Sequence, residues 1–409
     1  MKKNVVVSCG NVGPKVRSDC RVELQILDSG GIKINLTSKV KALYENDIIN
    51  LAKDVLNYFE IKDCELNIED SGAITPVLAA RIEAAIHKLI DTDKEYLLPI
   101  LKQNVYATEK DRNRISRLYL PGNTPSMFLN AGIHHPDGII LDLEDAVAPD
   151  KKHEASFMVR NALRNINFYG AEKMVRINQI PRGLDDLKFI VNHGVNLILV
   201  PKCENANQIK LVNEKINELL SDKSQKIWLM PIIESAEGVL RVREIAESAE
   251  NVVAIAIGLE DFTADMGVQR TREGNESLFA RNMLTLACKA TGVQAIDSVF
   301  SDVDDEEGLR NTIKVSKSLG FVGMGCIHPK QIRVIHDAYG PEEAEINKAK
   351  KIVIAFDEAN EKGLGVVSLG SKMIDPPVVK RALHTINMAI MLGKLPKDWK
   401  SQMLNQNVK

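Results

Sequence analysis

Several short apolar runs in this chain of 409 residues end in side chains able to do chemistry. Asp142, Glu144 and Asp145 close one run, Arg176 and Asn178 the next, and Lys202 the one after. Glu234, then Glu260 and Asp261, then Asp297, and finally His328 close four more. Taken singly, each is explained as a helix cap or a loop residue. Brought to one place, the acids ending three of these runs would crowd negative charge at a cost that a divalent cation would offset. Two carboxylates with waters and substrate oxygens suit Mg²⁺, and Glu234 and Asp261, on neighbouring runs, are the expected pair. Zinc is disfavoured, because His328 stands without a second soft ligand. A fixed guanidinium such as Arg176 could hold a carboxylate or a departing enolate while the ion polarises a developing carbonyl. That chemistry is the breaking of a carbon–carbon bond.

The elements that must position these groups follow from the same runs. They start near residues 117, 138, 173, 197, 227, 252, 294 and 323, and helical patterns follow them. Such βα alternation requires a parallel sheet, and eight units in nearly 300 residues predict a closed (β/α)8 TIM barrel of α/β class. A barrel puts its site at the carboxyl ends of its strands, where the polar residues above fall. No glycine-rich phosphate fingerprint is present to favour an open sheet.

Ahead of the barrel, alternating runs at 21–27, 31–37 and 64–70 read as strands, and 47–59 and 75–90 as amphipathic helices. Asp28, Ser29 and Gly30 predict a hairpin between the first two strands. The expected division is therefore a small α+β domain at 1–92, a charged linker at 93–112, and the barrel with a C-terminal extension at 113–409. The YLLPIL stretch inside the linker reads as a short docked helix, and a long helix is expected to end at Gly363. A formal charge of −2 gives no reason to expect nucleic acid or an anionic membrane. The lysines and brief apolar run at the start are too short for a signal segment, which predicts a cytoplasmic chain. Six dispersed cysteines read as reduced, buried thiols.

From about 113 onward, RISRLYLPGN, LDLEDAVAPDKK, VRIN, PIIESAEG, GLEDFTADMG, GCIHPKQ and SKMIDPPVV stand in an order that resembles the citrate lyase β-subunit family. This is a branch of the HpcH/HpaI aldolase-like barrels that also holds malyl-CoA and citramalyl-CoA lyases. The resemblance implies Glu234 and Asp261 as Mg²⁺ ligands, Arg176 as a substrate contact, and Glu144 and Asp145 as shapers of the pocket. It further implies that Asp375 reaches into a neighbouring subunit's site, although read alone Asp375 is a turn residue before two prolines.

The first 90 residues, through KVRSDCRVEL, ELNIEDSGAI and LAARIEAAI, look like the citrate lyase γ subunit, an acyl carrier protein. That likeness implies a phosphoribosyl-dephospho-CoA arm on the Ser18 hydroxyl. The surroundings depart from the family's pattern, with Arg17 where an acid is usual, Asp19 directly after, and Cys20 in place of a later acid. A fused citryl-carrier lyase is the expected whole, cleaving a carrier-bound citryl thioester to oxaloacetate and an acetyl thioester. Glu144, Asp145 and Asp375 are the candidate proton-handling groups, unranked. A separate α-like subunit for acyl exchange and a homo-oligomer, a trimer or larger, are implied partners. The linker, as a flexible coil, would hold the carrier near the barrel at roughly millimolar effective concentration. The alternatives are a lyase acting on free malyl-CoA or citramalyl-CoA, and a non-catalytic carrier and scaffold subunit.

Overall fold

The computed structural model describes residues 2–361, 367–369 and 372–401. They form two compact units, one up to Ile332 and one from Arg333.

The first unit begins with a four-stranded sheet of β1 (Val6–Gly10), β2 (Cys20–Ile26), β3 (Ile32–Ser38) and β4 (Cys64–Asp70), in spatial order β1-β2-β4-β3. The hairpin expected around Asp28 does not form. β4 enters between β2 and β3, antiparallel to the first and parallel to the second. Burial explains the exchange. β4 alternates fully buried Cys64, Leu66 and Ile68 with half-exposed residues, whereas no residue of β3 is fully buried, so β3 is the better edge strand. β1, too short and half-exposed to stand out in the sequence, ends at Gly10 with φ +95°, where a Cβ would meet the Cys20 carbonyl at 1.9 Å.

Two helices cover this sheet, α1 (Lys41–Tyr58) and α2 (Thr75–Leu89). Pro76 sits in the first turn of α2, where a missing N–H costs nothing. Eleven of its fifteen residues are buried, including Arg81 and Glu83. A helix covered all round must lie between two partners, here the sheet and the barrel helix Lys152–Asn165.

All eight expected barrel strands form: β5 (Ser116–Pro121), β6 (Gly138–Asp142), β7 (Glu172–Arg176), β8 (Leu197–Val200), β9 (Trp228–Ile233), β10 (Ala254–Ile257), β11 (Gln294–Asp297) and β12 (Gly323–Cys326). They pair parallel in sequence order, and β12 closes on β5 through Met324 opposite Ser116. Ile140, Met174, Leu199, Met230, Ile232, Ala256 and Ile296 belong to its packed core.

The segment 93–112 is not a free coil. The Asn104 amide donates to the carbonyls of Leu163 and Ile166 at 3.1 and 2.8 Å. Thr108 donates to Glu172 at 2.7 Å, and Trp228 Nε1 donates to the Thr108 carbonyl at 2.8 Å. Because Glu172 and Trp228 open their strands, the segment straps the amino-terminal end of the barrel, opposite the expected site. Its one helical turn lies at Lys102–Asn104, just beyond the YLLPIL stretch, which forms no helix.

The second unit pairs the helix Glu343–Glu361 with Pro376–Met391 over a core of Ile346, Ile352, Val353, Ile386 and Trp399. The expected helix end at Gly363 lies outside the described residues. All six cysteines are buried and free, and burial raises each thiol above its ordinary value. Among the described residues no helix is long and apolar enough to cross a membrane.

Candidate active site

A cavity of about 560 Å³ opens at the carboxyl ends of the strands, lined on its polar side by Asp142, Asp145, Arg176, Glu234 and Asp261. Tyr119, Met127, Ile232 and Val299 are among its less polar walls.

Arg176, the last residue of β7, is held in place before any ligand arrives. Its Nε and Nη2 donate to the two carboxylate oxygens of Asp142, on the adjacent strand tip, at 2.7 and 2.6 Å. Nη1 lies 2.8 Å from Glu144 and 3.8 Å from Asp145, and the guanidinium stacks 5.5 Å from the Tyr119 ring centre. Burial alone would lower this group's pKa, but the Asp142 hydrogen bonds and charge overcome it and keep the guanidinium protonated. Asp142 also accepts the backbone N–H groups of Glu144 and Ala146, so it shapes the turn and aims the arginine at once.

Glu144 is buried, which pushes its carboxyl above the usual range against the pull of Arg176, and Gln179 donates to it at 3.1 Å. Asp145 is more than half exposed.

Glu234 follows β9 and is 5 % exposed. Burial, reinforced by the charges of Glu144 and Asp261, pushes its carboxyl up to about 8, although the Lys202 backbone N–H donates to it at 2.8 Å. Gly258 makes the space, since a Cβ there would lie 2.5 Å from Glu234 Oε1. Asp261, in the helix Leu259–Asp265, is 40 % exposed at its side chain. Lys202 joins these groups, its ammonium 3.3 Å from Asp261 and 4.0 Å from Glu144. Its backbone takes φ +47°, a conformation uncommon for a residue with a side chain.

The remaining strand-end candidates are spoken for. Asp297 pairs with buried Arg281, Glu260 with Arg270 at 2.5 Å, and His328 Nδ1 accepts the Lys330 N–H within its own turn. Asp375 belongs to the second unit, where its carboxylate caps the helix Pro376–Met391 by accepting the Val378 N–H at 3.1 Å. Ser18 stands in the turn before β2 with φ +57°, its N–H donating to the Ser71 carbonyl. The sequence noted Asp142 and Lys202 only as strand ends. Their charge and position were visible there, but their pairing was not.

No group of three or more His, Cys, Asp or Glu side chains converges as a cage for a metal ion among the described residues. Two carboxylates, from Glu234 and Asp261, remain at the cavity wall, and an excess of acid over base surrounds them.

Residues 115–329 match the model of the family HpcH/HpaI aldolase/citrate lyase. The chain belongs to the HpcH/HpaI aldolase/citrate lyase family. It is 37% identical over 284 residues to the citrate lyase subunit beta of Leuconostoc mesenteroides, an alignment spanning 68% of this chain and 94% of that protein. It is 32% identical over 301 residues to the human mitochondrial citramalyl-CoA lyase, spanning 69% and 88%. Among solved structures, the CitE protein of Mycobacterium tuberculosis in complex with magnesium, acetoacetate and coenzyme A superposes with a TM-score of 0.57 at 27% identity, over 69% of this chain and 99% of that one. Residues 8–89 match a second family, that of the malonate decarboxylase delta subunit (MdcD), an ACP family. An HpcH/HpaI barrel and a carrier-type domain thus occupy one chain.

Proposed function

We propose that this HpcH/HpaI lyase cleaves a citryl thioester carried on its own Ser18, giving oxaloacetate and an acetyl thioester. The chain is a carbon–carbon lyase, and the observation that carries the substrate reading is the cavity in which Glu234, Asp261 and Arg176 meet. The donor set fits Mg²⁺, a hard ion content with one or two carboxylates and retained waters. Glu234 and Asp261 would hold it, and when bound it would supply a Lewis acid for the hydroxyl and carboxylate oxygens of the substrate.

Arg176, aimed by Asp142, offers its remaining N–H groups to a substrate carboxylate, which fixes the bond to be broken against the apolar wall of the cavity. A carboxylate takes the proton of the tertiary hydroxyl. The C–O bond becomes a carbonyl, the C–C electrons pass to the thioester α-carbon, and the resulting enolate is protonated to the acetyl thioester. Glu144, already beside Arg176, and Asp145 are the groups of this unit for that proton traffic, and Asp375 is proposed to serve from a neighbouring subunit of a homo-oligomer. Ser18 would bear a phosphoribosyl-dephospho-CoA arm, and an α-like partner subunit would exchange acetyl for citryl.

Oxaloacetate release from a citryl thioester, followed with and without Mg²⁺, tests the reading. Glu234→Gln should abolish the cation-dependent rate while the protein stays folded, and a full rate in that variant overturns it. A second reading, cleavage of free citramalyl-CoA, is favoured by the human relative. Intact mass of protein from its native host separates the two, since an arm on Ser18 is required only by the first.

A further inference from the structure

The carrier-type domain meets the barrel through buried charges. Arg81, on α2, donates from Nε and Nη2 to Asp19 at 3.0 and 2.9 Å, and Nη2 also donates to the Asn123 carbonyl at 2.9 Å. Its Nη1 lies 3.5 Å from Glu154 on the barrel helix. Glu154 in turn accepts the Gly10 N–H at 2.8 Å, and Lys151 donates to the Gly10 carbonyl at 3.2 Å. The side chains of Arg81 and Glu154 have no exposure at all, and that of Asp19 has 3%.

Six residues further along the barrel helix, Arg160 grips both carboxylate oxygens of Glu83 on α2, again without exposure, and Asn161 donates to the Pro76 carbonyl at 2.9 Å. Tyr96 N–H donates to Glu83, so the start of the connecting segment is tied into the same cluster.

Two features of this surface matter. Its central ion pairs are buried, and a domain that swung away in each turnover would have to rebuild several of them each time. The surface also leads to the active cavity. Asp19 follows Ser18 directly, and Asn123 lies two residues beyond Pro121, a residue of the cavity wall. Bond lengths and the hydrogen bonds above bring the Ser18 and Pro121 Cα atoms within about 25 Å of each other.

We infer that the carrier domain is a fixed pedestal on its own barrel and that Arg81 is a positioning residue, joining the Ser18 turn to the rim so that only the arm moves. The occupant of this surface is therefore the domain of the same chain. The inference rests on the Ser18 reading for its purpose, though not for its geometry.

A protease site inserted in the full chain between the exposed residues Asp91 and Asp93 tests the geometry, because the connection is cut while the surface is untouched. After cleavage at 1 μM, the carrier fragment should co-elute with the barrel, and turnover of a Ser18-bound thioester should stay within about twofold. A carrier held only by its tether would separate and lose about a thousandfold in effective concentration on the same dilution. Separation overturns the inference, whatever the state of Ser18.

Arg81→Lys should lower turnover of the carrier-bound thioester about tenfold and leave cleavage of free citryl-CoA within twofold. An equal fall in both, or in neither, overturns the positioning role. Asp19→Asn, which keeps the shape and removes the charge, repeats the split should the lysine variant unfold. Absence of both thioester activities in the parent protein would sink the lyase reading alone, since co-elution reads the docking directly.

Discussion

Two buried clusters in this chain use arginine against carboxylate, and they are built to opposite ends. Between the carrier domain and the barrel, Arg81, Arg160 and Lys151 pair with Asp19, Glu83 and Glu154, and the half-exposed Glu95 is a further partner of Arg160. At the barrel mouth, Asp142, Glu144, Asp145, Glu234 and Asp261 lie with Arg176 and Lys202 as ion-pair partners and Lys152 near the first three, so that acid exceeds base. Charge buried and paired between two surfaces specifies how they fit. Unmatched charge is kept at a cost in stability, and the natural reason to keep it is a ligand that completes it.

The largest effect that can break this contrast lies at the interface. Arg160→Ala alone leaves the buried Glu83 carboxylate without its cation and should cost about 3–5 kcal/mol in denaturant unfolding, while Glu83→Ala, which leaves Arg160 its contact with Glu95 at 3.1 Å, should cost less. Replacing both, as Glu83→Leu with Arg160→Met, should recover most of that, because apolar side chains of similar volume need no partner. A single substitution costing less than about 1 kcal/mol would mean that water reaches the pair and the surface is not locked.

How far the sequence could see this contrast differs between its two sides. Every barrel strand was legible, because a strand covered on both faces reads as an unbroken apolar run. The placement rule for barrels then marked Glu234, Asp261 and Arg176 as strand-tip residues that share one opening. What escaped were relations across long separations. β4, some forty residues beyond the Asp28 turn, displaced the expected hairpin, and no local pattern around that turn could announce it. Arg81 and Glu83 sit in LAARIEAAI, where each reads as the solvated face of an amphipathic helix. Their burial is created by Lys152–Asn165, a helix of the other domain. The segment 93–112 reads as a linker because its charges suggest solvent, yet Asn104 and Thr108 spend their polar atoms on the barrel floor.

Lys173 sharpens the comparison from a third place, that floor. It is 1% exposed, donates to the Asn104 carbonyl, and lies 4.4 Å from the centre of the Tyr106 ring, with no carboxylate partner among the described residues. Burial lowers its pKa from 10.5 to about 8. Between those values the unfolded chain binds more protons than the folded one, so stability should rise with pH from about 8 to 10.5, by up to about 3 kcal/mol. Lys173→Met should flatten that rise in unfolding curves taken across the window. A slope unchanged by the substitution would assign it to other groups.

At the mouth itself, Arg176→Lys keeps the charge but cannot reproduce the two-point grip on Asp142 while reaching Glu144. Turnover should fall about 10–100-fold, or about 1.4–2.7 kcal/mol of barrier, with unfolding little changed. A variant that lost stability and kept its rate would class Arg176 with the interface arginines.

The smallest expected effect is the most discriminating, since it separates a cation-deficient site from one neutralised by its own side chains. Burial works against the charge on Lys202, yet the Asp261 and Glu144 carboxylates outweigh it and raise its pKa. The ammonium therefore lies among the acids that an added cation would seek, and the two compete. Lys202→Met removes the competitor, and because the side chain is about a third exposed the gain is screened to a few-fold tightening of Mg²⁺ binding at low salt. Calorimetric titration reads it directly. Weaker binding in the variant would mean that Lys202 supports the acid cluster rather than substituting for its missing charge, and the surplus of carboxylate at the mouth would need another explanation.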